Sequence, residues 1–122
     1  MVVTGEAGEL SPALGKLVGA NLLRTTVANS HRELLDIVAG GHFDMAVLDE
    51  EALGELDIIR LLRLIRRMDQ RVAVVLVTSH SDRRWLEDAI KLSAFSVLGK
   101  PLELEVLLRQ LYSVMMRFNR YV

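Results

Sequence analysis

Three short stretches carry side chains able to do chemistry together. An apolar run closes abruptly at Asp49, a second closes at Thr78-Ser79, and a third closes at Gly99-Lys100-Pro101. A carboxylate can attack phosphorus and form an acyl phosphate. An ammonium can neutralise phosphoryl charge as a point donor. A hydroxyl can hydrogen-bond a phosphoryl oxygen. These groups cooperate only if the backbone brings Asp49, Thr78 and Lys100 to one place, with Ser79 beside them.

Alternating elements supply such a backbone. Val2-Val3-Thr4 reads as a first strand. Ser11-Pro12 has the pattern of an N-cap followed by proline at the first helical position, which predicts a helix from Pro12 to about Asn21. Leu23, Thr25 and Val27 alternate as in an edge strand. Ser30 to Glu33 forms a capping-box pattern, and Gly40-Gly41 ends the helix it opens. Phe43 to Leu48 is the third strand, and Asp57 caps a helix from Ile58 to Met68. Val72 to Val77 is apolar and β-branched, as in a strand buried on both faces. Ser81 or Asp82 opens a helix to about Leu92. Phe95 to Leu98 is the fifth strand, and a last helix runs from Leu102 to about Phe118.

Five strands alternating with five helices demand a parallel sheet covered on both faces. The apolar third and fourth strands belong in the centre and the polar second strand at an edge. That favours strand order 2-1-3-4-5, the flavodoxin-like doubly wound α/β fold in three αβα layers. Asp49, Thr78 and Lys100 then share the carboxyl rim of three neighbouring strands, about 5 Å apart.

Composition narrows the classes. The 122 residues fit one domain, 51% of them are hydrophobic, and the 15 basic against 16 acidic residues leave a net charge of −1. That balance gives no global attraction to nucleic acid. No run reaches the ~18 apolar residues of a membrane span, and MVVTGEAG lacks the layout of a secretory signal. With no cysteine there is neither a disulfide framework nor a thiolate metal site. A cytoplasmic location is the expectation. The apolar last helix, running nearly to Arg120-Tyr121-Val122, suggests a single domain, 1–122, excised from a longer chain.

The segments FDMAVLD at 43–49, VAVVLVTS at 72–79 and SVLGKP at 96–101, in this order and spacing, resemble a response-regulator receiver domain along essentially the whole chain. The resemblance implies a phosphoacceptor at Asp49, a phosphoryl-sensing hydroxyl at Thr78 and an anion-pairing Lys100. Glu51 and His80 become candidates for tuning phosphoryl hydrolysis. Magnesium on Asp49 and Glu6 is implied, with no organic cofactor, and a histidine kinase, phosphotransfer protein or small acyl phosphate as donor. Such a domain catalyses at most its own phosphoryl transfer and is not a turnover enzyme.

The chain departs from the family at three places. Thr4-Gly5-Glu6 stand where a metal-holding acid pair is usual, Ala52-Leu53 where Met-Pro is usual, and Val97 where a switching aromatic is usual. A phosphorylation-independent pseudo-receiver, serving as an interaction or dimerisation module, is therefore the alternative. A flavin or nucleotide enzyme on the same fold lacks a phosphate-cradling loop.

Other features have plain roles. Arg60, Arg63, Arg66 and Arg67 read as the solvent face of the third helix. Leu86, Ala89 and Ile90 read as the inner face of the fourth, with Trp85 at its margin. Leu104, Leu108, Leu111, Met115 and Phe118 read as the core stripe of the fifth, widened by Val106, Leu107, Tyr112 and Val114. That excess predicts that the face made by the fourth helix, fifth strand and fifth helix meets an output domain or a second copy. No membrane or direct nucleic-acid contact is expected of this domain.

Overall fold

In the computed structural model, residues 1–19, 23–41, 43–53, 57–79 and 82–118 are described. The strands are β1 (Val2–Val3), β2 (Thr26–Val27), β3 (Met45–Asp49), β4 (Ala73–Thr78) and β5 (Ser96–Gly99). The helices are α1 (Gly5–Val18), α2 (His31–Gly40), α3 (Ile58–Met68), α4 (Arg83–Lys91) and α5 (Leu104–Phe118), with a 3-10 turn at Glu50–Leu53. All strand pairs are parallel and the sheet order is β2-β1-β3-β4-β5. This is the doubly wound architecture expected from the alternation of elements. Both residues of β2 are exposed, whereas every residue of β3 and β4 is buried.

The period-2 alternation of strand side chains divides the core in two. Val2, Ala46, Leu48, Val74 and Leu76 join the α2–α3–α4 layer through Leu34, Ile58, Leu62 and Ile65. Val3, Met45, Val47, Val75 and Val77 join the α1–α5 layer through Ala7, Leu14, Leu107 and Leu111. Asp49 follows Met45 and Val47 in that alternation, so its side chain belongs to the α1–α5 side.

Three helix starts follow local chemistry closely. Ser30 Oγ accepts the Glu33 N–H at 3.1 Å and opens α2. Asp57 Oδ1 accepts the Ile59 N–H at 3.0 Å and opens α3. Asp82 does the same for α4, accepting from Arg84 at 3.0 Å; Ser81, the other candidate, lies outside the described residues. Each cap satisfies an N–H that has no partner inside the helix.

Helix α1 departs from expectation. It starts at Gly5, not Pro12, and Pro12 lies inside it. Proline removes the N–H that would have bonded the carbonyl four residues earlier. The Ser11 hydroxyl donates to that carbonyl, Gly8 O, at 2.9 Å. Ser11 is therefore the repair for an internal proline rather than an N-cap.

Two helix faces are also rotated from expectation. Ile90 is 71% exposed, while Trp85 packs partly buried against the α2–α3–α4 core. In α5 the buried stripe is Leu107, Leu111 and Val114, with Leu104, Leu108 and Met115 only partly buried beside it. Both stripes obey helical spacing, and the sheet decides which one faces inward.

Candidate functional site

Asp49 ends β3 and is 2% exposed. Its Oδ1 lies 2.6 Å from Lys100 Nζ and accepts the Glu51 N–H at 3.1 Å. Its Oδ2 accepts the Glu6 N–H at 3.0 Å. A carboxylate taken this far from water requires such partners, because an unpaired buried charge is costly. Lys100 Nζ also meets Glu51 Oε2 at 3.1 Å, although the Glu51 side chain is 67% exposed. Burial opposes the Lys100 ammonium, but the hydrogen bonds and charges of Asp49 and Glu51 outweigh it and raise its pKa above the ordinary lysine value.

Register explains the convergence. Asp49 pairs with Val77 and Thr78 pairs with Gly99, so Lys100 leaves β5 next to Thr78, which is 2% exposed. Ser79 follows on the exposed side of the rim. The Lys100–Pro101 peptide bond is cis. Asp49, Lys100 and Glu51 are thus joined directly, and Thr78 stands at the neighbouring strand end. His80 lies outside the described residues.

Three contributors escaped notice in the sequence. Thr4 Oγ1 donates to Val47 O at 3.1 Å and accepts the Asp49 N–H at 2.7 Å, tying β1 to the end of β3. Gly5 adopts φ +54°, and a Cβ there would lie 2.3 Å from Asp49 Oδ2. Only glycine occupies that conformation without strain and leaves room for the carboxylate. The third contributor is the backbone of Glu6. The visible signal was Thr4-Gly5 itself, two residues that bring no carboxylate to the rim.

The Glu6 side chain turns away from Asp49. Its Oε2 accepts the Leu102 N–H at 2.7 Å, at the entry to α5. The early start of α1 places Glu6 in the first helical turn, beside the β5–α5 junction. That bond engages the side chain that the sequence offered as a metal ligand with Asp49.

Magnesium needs near-octahedral oxygen coordination, commonly with one or two carboxylates. Here both Asp49 oxygens already accept hydrogen bonds, Glu6 is engaged with α5, and Thr4 is engaged with β3. No group of three or more His, Cys, Asp or Glu that could hold a metal occurs among the described residues. The Glu6 carboxylate is thus not presented to Asp49, which alone of the described carboxylates is buried at this rim. The N-terminus of α1 stands beside Asp49, and the Glu6 N–H donates to its carboxylate there.

An open cavity of about 330 Å³ lies next to this rim, lined by Gly5, Gly8, Glu9, Val27, Ala28 and Asn29. Among the described residues, no helix is long and apolar enough to cross a membrane.

Comparison with known proteins agrees with this geometry. Regulatory protein AtoC of Escherichia coli (strain K12) is 30% identical over 83 residues, covering 68% of this chain and 18% of that protein. The chain thus spans less than a fifth of that relative's length. A CheY-like receiver domain protein from Methanospirillum hungatei JF-1 superposes with TM-score 0.79 at 14% identity, covering 95% of this chain and 92% of the other. A two-component response regulator from Clostridium difficile gives TM-score 0.79 at 19% identity, covering 97% and 96%. A response regulator from Burkholderia pseudomallei, solved with a phosphorylated aspartic acid, a calcium ion and citrate, gives 0.71 at 17% identity, covering 95% and 70%. The family described as response regulator receiver domain matches residues 10–112. With a fold, a rim and a sequence match that coincide over most of its length, the chain belongs to the response-regulator receiver domains.

Proposed function

We propose that this receiver domain works in two-component signalling as a pseudo-receiver, an interaction module whose acceptor site is closed from within. One observation carries the reading: the Glu6 N–H donates to Asp49 Oδ2 at 3.0 Å while the Glu6 side chain turns away to the Leu102 N–H. Asp49, Lys100 and Glu51 then act as a keystone that joins β1, β3 and β5 at the rim. Closure of the rim holds one surface in one conformation and presents it to partners. Those partners are a histidine kinase or phosphotransfer protein, and an output domain or second copy. The α4–β5–α5 face supports the latter, since Ile90, Tyr112 and Met116 are 71%, 46% and 67% exposed there. The domain is expected to act in the cytoplasm without a cofactor and without turnover.

The experiment is an NMR titration with magnesium, followed by beryllofluoride or acetyl phosphate. Metal at a hundred times its Kd would stabilise a binding protein by about 2.7 kcal/mol. The expected result is no saturable shift at the Glu6, Asp49 or Lys100 amides and no change in melting temperature. Saturable shifts there, or an acyl-phosphate adduct on Asp49, overturn the closed-site reading.

A second reading is favoured by the 2.6 Å contact of Lys100 Nζ with Asp49. In it, Asp49 serves as phosphoacceptor, as an aspartic acid does in the phosphorylated Burkholderia pseudomallei neighbour. A carboxylate oxygen would form the new P–O bond while the P–N bond of a phosphohistidine breaks, its electron pair leaving with the imidazole. Lys100 would offset the phosphoryl charge and Thr78 would hold a phosphoryl oxygen. This route requires Glu6 N–H to release Oδ2 first.

A further inference from the structure

The solvent face of α3 differs from those of the other helices. Between Ile58 and Met68 the helix carries four arginines and no acid. Arg60, Arg63 and Arg67 are exposed, and their spacing of three and four residues aligns them along about 10 Å of one stripe. Among the described residues none of the three takes part in an ion pair. By contrast, α4 and α5 pair their charges along the helix, Arg83 with Glu87 at 3.3 Å and Arg109 with Glu105 at 2.8 Å. Like charges at this spacing disfavour the isolated helix. Arg66 is set apart, because its guanidinium turns inward to Val72 O at 2.6 Å, Ser93 O at 2.9 Å and Leu92 O at 3.1 Å.

We propose that the α3 stripe of Arg60, Arg63 and Arg67 is a docking site for an acidic amphipathic helix of a partner protein. A helix bearing Glu at i, i+3 and i+7 presents carboxylates at the same pitch, and guanidinium forks bind carboxylates bidentately. An apolar edge completes the match: Met68, 42% exposed, lies beside the stripe with the partly buried Leu64. Phosphate backbones have no use for that edge. The net charge of −1 also repels a long polyanion, whereas a single helix meets only the stripe within a screening length. A second copy is a poor complement, since no described helix of this chain carries three acids at that spacing. The stripe is on the α2–α3–α4 side of the sheet and Asp49 faces the α1–α5 side. The proposal therefore stands apart from the state of the acceptor site.

The test is an NMR titration of the full chain with a synthetic helical peptide carrying Glu at i, i+3 and i+7 and a Leu beside them. Saturable shifts confined to residues 58–68 are expected. They should vanish as ionic strength rises from about 0.01 M to about 1 M, where the screening length falls from about 30 to about 3 Å. Arg63→Glu should weaken binding by about tenfold or more, and Arg63→Gln by less, with melting curves unchanged. Arg83→Gln should leave the affinity unaltered. The proposal is overturned if the peptide gives no saturable shift at α3 at low salt. It is equally overturned if a Gln-substituted peptide binds as well, or if Arg63→Glu has no effect. Tighter binding of duplex DNA than of the peptide at α3 would reassign the stripe to nucleic acid, and concentration-dependent self-association through α3 would reassign it to a second copy.

Discussion

Replacing Gly5 by alanine tests the internal closure of the rim most directly. Gly5 sits at φ +54°, where an L side chain costs about 1–2 kcal/mol. The new methyl would lie 2.3 Å from Asp49 Oδ2 and 2.6 Å from Asp49 Cγ, so the carboxylate or the start of α1 must move. Such overpacking typically costs about 1–3 kcal/mol. Movement of either group also breaks the Glu6 N–H bond to Oδ2, and a bond to a charged acceptor contributes about 1.5–3 kcal/mol. These terms overlap, so a loss of about 3–5 kcal/mol is expected. A 122-residue domain has roughly 6–18 kcal/mol in total at typical stability per residue. The assay is urea unfolding of Gly5→Ala beside Gly15→Ala. Gly15 lies inside the same helix with open space around its Cβ position, so alanine there should stabilise by about 0.5–1 kcal/mol. Opposite signs from one substitution in one helix are the signature. If Gly5→Ala costs less than about 1 kcal/mol, α1 does not press on Asp49 and the closed-site argument fails.

Other perturbations probe the same contacts. Lys100→Met should destabilise by about 2–4 kcal/mol, as expected when a buried carboxylate loses its countercharge but keeps two backbone donors. The pH profile adds a sign. Because the folded pKa of Lys100 is raised, its stabilisation is complete below the ordinary lysine value, about 10.4, and is lost as pH climbs through the higher folded value. Denaturation midpoints should therefore fall on the alkaline side for the wild type, and Lys100→Met should lack that component. Arg66→Ala should cost about 2–3 kcal/mol by calorimetry, since four carbonyls lose a charged donor; Arg66→Lys should recover only part, for want of the planar fork. Glu6→Gln should leave the Glu6 N–H bond to Asp49 in place while weakening the side-chain bond to Leu102 N–H. Hydrogen exchange at Leu102 should then rise several-fold without a matching change at Glu51.

The sequence by itself determined the topology and the place of the site. Alternating apolar runs and caps require parallel pairing, and the two most apolar uninterrupted runs put β3 and β4 at the centre. Ser30 and Asp57 opened α2 and α3 where expected, because an N-cap bond is made within a few residues of chain. Asp49, Thr78 and Lys100 were legible because strand ends in a parallel sheet share one rim. Other features were decided only by the tertiary structure. Ser11-Pro12 has the local form of a helix start, yet packing of Ala7 and Leu14 on the sheet carries α1 back to Gly5, and a hydroxyl repairs the proline. Either stripe of α5 satisfies helical periodicity, and burial in one core with Ala7, Val47 and Val75 selects Leu107, Leu111 and Val114. Ile90 turns outward from α4 for the same reason, while Ala89 stays buried. Above all, nothing local to Glu6 says that its backbone will reach Asp49 and its side chain Leu102. Those partners lie 43 and 96 residues away, and hydrogen bonds over such separations exist only after the sheet has brought the segments together.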